Sequence, residues 1–263
     1  MAKVITISNQ KGGVGKSTSA AMLALGLARE GYKVLAIDCD SQANLSSYFG
    51  AKRAQHQLYS LNALMDAVTD YDRELTDIPK EKIIWHFEGV DLITSSIRLA
   101  AKEQQLKEVD EREKVLKEVV DYFRSDYDYI ILDTGPSLGL LLTNALTASD
   151  EVIIPTEPEE FATEGLDDLL QSIARIRRRL NKNLTIGGII ITKVDSRSNE
   201  HKNYIQALRD AYGERLRIFA NAVPISEKAR VSARRAANLY DYSARSYATK
   251  AYAGIVKELI ADE

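Results

Sequence analysis

Along the chain, short runs of β-branched and aliphatic residues alternate with longer stretches whose apolar positions recur at helical spacing. The short runs predict strands over 3–8, 33–38, 90–94, 129–133, 151–155 and 185–192. The longer stretches predict helices over 17–30, 98–123, 138–148, 161–180, 199–212 and 244–261. Near-continuous apolar strands separated by helices predict an α/β fold, a mostly parallel twisted sheet flanked by helices on both faces. Gly31 follows the first helix, as a residue ending a helix in the left-handed region should. Repeats, low-complexity tracts and Pro/Ser-rich linkers are absent from the sequence, so residues 1–263 are expected to form a single domain.

The stretch 98–124 mixes Lys102, Glu103, Lys107, Glu108, Glu111, Arg112, Glu113, Lys114 and Lys117. A coiled coil would need more heptads than this run holds, so a long surface helix with a solvated, charged face is expected.

Composition narrows the chemistry. The chain has 263 residues, 45% hydrophobic, enough for a core of normal size without covalent staples. Cys39 is the only cysteine, which excludes a disulfide framework and a thiolate metal site. His56, His86 and His201 share no ligand spacing, which argues against zinc. The start shows no secretory pattern, and the longest apolar stretch, 20–28, is far short of the roughly 20 residues that span a bilayer. A reducing cytoplasm is the expected compartment. The net charge of −3 argues against a protein coated in nucleic acid. Its distribution qualifies that: residues 170–182 carry Arg175, Arg177, Arg178, Arg179 and Lys182 with no acid, and 214–250 is again basic.

One segment carries specific chemistry. Val4-Ile5-Thr6-Ile7 is followed by Gln10-Lys11-Gly12-Gly13-Val14-Gly15-Lys16-Ser17-Thr18 and then by a helical stretch. Strand, glycine-rich loop and helix start form a phosphate-binding loop: backbone N–H groups turn inward around phosphate oxygens. Lys16 is placed to reach the outer phosphates and Ser17 to offer its hydroxyl to Mg²⁺. The general pattern G-x-x-x-x-G-K-[ST] wants a glycine where this chain has Gln10, and a second lysine, Lys11, stands beside it. Two lysines in one tight loop repel unless an anion lies between them.

The form K-G-G-x-G-K-[ST] resembles the deviant loop of the ParA/MinD family of P-loop ATPases. The resemblance implies ATP and Mg²⁺ as cofactors, with Lys11, Gly12, Gly13, Val14, Gly15, Lys16, Ser17 and Thr18 around the nucleotide. It also implies that Lys11 crosses to the partner subunit's nucleotide in an ATP-sandwich homodimer. Ile37-Asp38-Cys39-Asp40-Ser41-Gln42 resembles the family's D-x-D-P-Q segment, with Ser41 where proline is usual. By that likeness Asp40 aligns the attacking water and Asp38 lies nearer the metal shell. Tyr129-Ile130-Ile131-Leu132-Asp133 resembles a Walker B strand, whose acid reaches Mg²⁺ through water. Gly135 departs from the family's D-x-P-P-S turn and is expected to loosen it. Segments 153–166 and 191–199 extend the match, which runs from Lys3 to about Leu259 and is to the short, Soj-type form without an N-terminal helix-turn-helix. Relatives place a Pro and an Asn in the adenine pocket after the strand near Ile218; here Asn221 and Pro224 would serve in shifted register.

The function implied is a dimer, formed with ATP, that binds double-stranded DNA without sequence preference and is released by a ParB-like adaptor, segregating plasmid or chromosomal DNA. Arg197 matches a DNA-contacting position, and Arg230, Arg234 and Arg235 are its candidate neighbours. The expected location is the nucleoid-bearing cytoplasm, without membrane. Two other members of the broader family remain for comparison. A MinD-like or organelle-positioning ATPase would act on a membrane or protein cargo, but residues 255–263 lack a basic polar face. An electron-transfer relative of the nitrogenase iron protein needs paired cysteines.

Overall fold

The computed structural model describes residues 1–51, 59–70, 72–159 and 162–261. Its strands are β1 (Lys3–Ile7), β2 (Val34–Cys39), β3 (Ile84–Phe87), β4 (Val90–Ile93), β5 (Tyr129–Thr134), β6 (Glu151–Thr156) and β7 (Thr185–Ile191). Its helices are α1 (Lys16–Arg29), α2 (Asn44–Tyr48), α3 (Leu61–Thr69), α4 (Lys80–Ile83), α5 (Arg98–Gln105), α6 (Val115–Phe123), α7 (Leu140–Ala148), α8 (Ala162–Arg179), α9 (Asn199–Tyr212), α10 (Glu227–Arg235), α11 (Leu239–Tyr242) and α12 (Tyr247–Ile260).

The strands form one seven-stranded sheet in the order β3-β4-β2-β5-β1-β6-β7, parallel except for the antiparallel β3–β4 pair at one edge. Strand alternation sorts the side chains to two faces. Ile5, Ile7 and Ile131 join α1, α11 and α12 in one core; Val4, Ile130 and Leu132 join α3, α6 and α7 in another. A third cluster packs α7, α8 and α9 on β6 and β7. Burial on both faces is why the strands read as unbroken apolar runs.

The sheet grows from β1 toward β5 on one side and β6 on the other, so β1 lies where the strand order reverses. In open α/β sheets the crevice at the carboxyl ends beside that strand is the usual ligand site.

The edges are closed by different means. β3 is short, and its register pairs Ile84 with Ile93 and Phe87 with Val90. Beyond β7 runs the segment 217–225. Ile189 N donates to Arg217 O at 2.9 Å, Phe219 N to Ile189 O at 3.0 Å and Val223 N to Ile191 O at 2.8 Å.

One predicted helix is corrected. The stretch 98–123 is α5, a 3₁₀ turn at Leu106–Glu108, an irregular link and α6. A straight helix of 26 residues would run about 39 Å, whereas the core under it receives two separate apolar sets. Leu99 and Leu106 make up the first, and Val115, Leu116, Val119, Val120 and Phe123 the second, both entering the same core cluster. Between them Glu111 adopts φ 51°. Asn144 holds the break, donating from Nδ2 to Arg112 O at 2.7 Å and accepting Leu116 N–H at 2.9 Å. The helix predicted from 161 begins at Ala162; Phe161 lies outside the described residues, as do Glu160 and His56. The one predicted over 244–261 starts at Tyr247, because the Ser246 side chain caps it by accepting from Thr249 N.

Candidate nucleotide site

The loop 8–15 leaves the carboxyl end of β1 and is fixed at three points. Asn9 Nδ2 donates to Pro155 O at 2.7 Å, and Asn9 Oδ1 accepts Lys11 N–H at 3.0 Å. Thr192 Oγ1, just past β7, donates to Val14 O at 2.8 Å. Gly13 and Gly15 stand at φ 83° and 87°, left-handed positions that a Cβ would strain. No side chain caps α1, so its first-turn amides are not consumed by a neighbouring hydroxyl or carboxylate. Orphan amides at a helix start with the positive end of the helix dipole make an anion site.

Lys16, the first residue of α1, is only 7% exposed, and its Nζ donates to Lys11 O at 2.8 Å. Burial lowers its pKa, while the charges of Asp133 and Asp40 oppose that shift. Lys11 itself is exposed, and its ammonium ion-pairs with Glu159. That contact draws the Glu159 carboxyl below its usual range. Beside it Lys193 Nζ meets Glu157 Oε1 at 2.7 Å.

Three aspartates converge here from two adjacent strands. β2 and β5 pair in a register that sets Asp38 opposite Asp133. Asp133 is fully buried, and neither of its carboxylate oxygens has a hydrogen bond. Burial pushes its pKa well above the carboxylate range, the charge of Asp38 adds to this, and the neighbouring Ser17 hydroxyl and Lys16 charge pull back. A buried, unpaired carboxylate beside a hydroxyl is a donor set suited to Mg²⁺, which takes one or two carboxylates and completes its shell with water and phosphate. Asp133 and Ser17 fit that ion.

Asp38, expected near the metal shell, lies beside Asp133 and also has structural partners. Its Oδ2 accepts Ser46 N–H at 2.8 Å and the Ser46 hydroxyl at 2.7 Å, and its Oδ1 accepts Asp40 N–H at 3.1 Å. It tethers α2 to the end of β2. Burial outweighs those bonds and raises its pKa to about 6.

Asp40 is 9% exposed and lines the cavity with Lys16 and Ser17, its Oδ1 accepting Gln42 N–H at 3.0 Å. The turn after β5 passes close by: a Cβ on Gly135 would lie 3.2 Å from Asp40 Oδ1. Gly135 therefore makes room for the Asp40 carboxylate, a tighter role than the loosened turn expected from sequence.

The cavity has two lobes meeting at Gly13, Gly15, Thr18, Ala233 and Arg234. One, of about 520 Å³, holds Lys16, Ser17, Asp40, Gln42 and Pro136. The other, of about 580 Å³, holds Thr192, Lys193, Val223, Pro224, Ile225 and Tyr252. Either volume suits a small-molecule ligand, and a charged lobe joined to a more apolar one matches a phosphate chain carrying a base.

Pro224 is in the apolar lobe. Asn221 is placed elsewhere: its Nδ2 donates to Glu258 Oε1 at 2.8 Å, on α12. The four arginines named from sequence stand in different local surroundings. Arg197 projects into solvent, its side chain 90% exposed, with Nε 3.3 Å from Asp195 Oδ1. Arg230 and Arg234 wall the cavity, whereas the Arg235 guanidinium lies over the Tyr242 ring at 5.9 Å. Sequence reasoning missed the closeness of Gly135 to Asp40, Lys193 and the cavity position of Arg234, because each meets the site only through the fold.

The buried carboxylates have a measurable cost. A carboxyl whose pKa is raised in the folded state keeps its proton to higher pH than in the unfolded chain. Its contribution to stability is therefore lost as pH rises above 4, through about 6 for Asp38 and further for Asp133. Asp133→Asn in ligand-free protein with chelator should melt near the wild type at pH 4 and several degrees above it at pH 8 (~2–4 °C per kcal/mol). Calorimetric scans across that range check this; an advantage independent of pH would contradict the charge-burial account.

Comparison with known proteins is consistent with this geometry. The AAA_31 family model, described as an AAA domain, matches residues 2–186. The chain is 35% identical over 262 residues to the sporulation initiation inhibitor protein Soj of Bacillus subtilis, covering 100% of both. It is 31% identical to the chromosome partitioning protein ParA of Caulobacter vibrioides, covering 99% of this chain and 95% of that one. Among solved structures, a putative plasmid partition protein from Borrelia burgdorferi bound to AMPPNP superposes with a TM-score of 0.79 at 29% identity, covering 100% and 99%. Cobyrinic acid a,c-diamide synthase from Mycobacterium smegmatis with a bound ATP analog and magnesium gives 0.82 at 27% identity, covering 99% and 95%.

Proposed function

The chain belongs to the Soj/ParA family of partition ATPases, and we propose that it is a Mg²⁺-dependent ATP hydrolase whose nucleotide state sets its self-association and its hold on DNA. The observation that carries this reading is the constellation at the carboxyl ends of β1, β2 and β5. Glycines of the uncapped loop, Lys16, Ser17 and Asp40 line one cavity, and the buried, unpaired Asp133 ends β5 beside Asp38 and close enough to Lys16 to feel its charge. Lys16 and the loop amides hold the phosphate chain, Thr18 and Pro224 border the nucleoside side, and Ser17 and Asp133 hold Mg²⁺. The ion, when bound, withdraws charge from the phosphate oxygens. Asp40 accepts a hydrogen bond from the attacking water and aligns it.

In this reading Lys11 is the residue of the deviant loop that contacts the nucleotide of a second copy, so that ATP favours a homodimer. A ligand shifts that equilibrium only by binding the dimer more tightly, and a cation contributed in trans supplies the difference. The dimer binds double-stranded DNA nonspecifically through exposed cations, Arg197 and Arg235 foremost. A ParB-like adaptor triggers hydrolysis and release, and the protein works on the nucleoid in the cytoplasm, moving plasmid or chromosomal DNA. A membrane-bound, MinD-like role finds less support. The apolar face of α12, Tyr252, Ile255, Val256 and Leu259, is spent in the core with α1, and no helix among the described residues is long and apolar enough to cross a membrane.

Plasmid binding titrated with salt, with and without MgATP, tests the reading. Affinity should require ATP and fall about tenfold for each doubling of salt if roughly four phosphates are neutralised. Binding that ignores the nucleotide would contradict it.

A further inference from the structure

We propose that Arg234 is a nucleotide-binding residue, clamping the phosphate chain from the side opposite the loop; this rests on the ATPase reading of the cavity and adds a contact to it. Sequence places Arg234 in a basic run that invites a DNA-binding role. The fold places it differently. It stands where the two lobes join, bordering both the lobe of Lys16 and Asp40 and that of Lys193 and Pro224. A nucleotide filling both lobes must set the base-proximal end of its phosphate chain at that junction.

The guanidinium is available. Arg230, one turn earlier, pairs with Glu227 at 2.5 Å, and Arg197 and Arg29 are likewise paired with Asp195 and Asp241. Among the described residues no carboxylate lies within ion-pair distance of Arg234. Its planar fork of donors suits phosphate oxygens bidentately, as an ammonium cannot. It is also mounted on a fixed element. The Ser226 side chain caps α10 by accepting from Ala229 N, and α10 rests on the segment after Asp40, where a Cβ on Gly50 would lie 3.1 Å from Ala236 Cβ. A donor held on a packed helix loses little freedom on binding.

Isothermal titration with MgADP and MgAMPPNP tests this. Arg234→Ala should weaken both ligands by about 10- to 100-fold, the range of one or two charge-assisted hydrogen bonds. Arg234→Lys should recover only part of the loss. The side chain is exposed without ligand, so the ligand-free melting temperature should not move, which separates a lost contact from a damaged fold. Nucleotide affinities within twofold of wild type in Arg234→Ala would overturn the proposal. So would a DNA salt slope reduced by about one with nucleotide binding unchanged, which would return Arg234 to the DNA surface. A wild-type protein that takes up no nucleotide would remove the ATPase reading itself, whatever the variant does.

Discussion

Asp40→Ala is expected to keep MgATP bound while slowing steady-state hydrolysis by a factor of about 10²–10⁴, the range for a lost group that aligns or deprotonates a nucleophile. The side chain is well placed for that work and poorly placed for holding ATP. It borders the same lobe as Lys16 and Ser17, and it is oriented by Gln42 N–H on one side and the Gly135 turn on the other. A carboxylate repels a triphosphate, so its removal should if anything tighten ground-state binding. The variant should then collect as an ATP-loaded dimer that stays on DNA. Phosphate release and size exclusion with ATP would show both effects. Wild-type turnover in Asp40→Ala would remove the residue from the chemistry.

Lys11→Ala should separate two properties that the loop combines. Within one chain Lys11 offers the cavity only its backbone carbonyl, which holds Lys16, and the mutation leaves that carbonyl in place. ATP binding should persist. The ammonium points instead to Glu159, in a pair whose side chains are 45% and 50% exposed. Such a pair is worth at most about 1 kcal/mol, and a triphosphate presented by a second copy outcompetes it. By twofold symmetry each dimer would lose two charge-assisted contacts, so the ATP-dependent association constant should fall by about 10²–10⁴. Hydrolysis should fall with it. Light scattering coupled to size exclusion, with ATP, measures the change; an intact dimer would show that Lys11 does not act across the interface.

How far the molecule was readable before folding depends on how local each signal was. The β1–loop–α1 unit was legible because a period-2 run, a glycine cluster and a helical run follow one another without interruption. Asp133 was legible as the acid ending an apolar strand. The break between α5 and α6 was not. Residues 107–114 are ordinary helix formers, and only the lack of apolar positions facing the core marks the interruption. β3 was missed because its four residues follow directly on the short, lysine-rich helix α4 and gain their pairing from β4 alone. Asn221 was misplaced because nothing in the sequence announces Glu258 as its partner. Arg234 looked like part of a charged helix face because more than two hundred positions separate it from the loop it borders.

The closed margins of the sheet bear on how copies of this protein meet. At one flank a four-residue strand offers too short a ribbon for another chain to extend, and at the other the segment beyond β7 already occupies the backbone groups. Growth by strand addition, the route to uncontrolled fibres, is thereby blocked. The loops at the carboxyl ends are not spent in the sheet, so the proposed dimer would meet there, under a reversible, fuel-dependent signal.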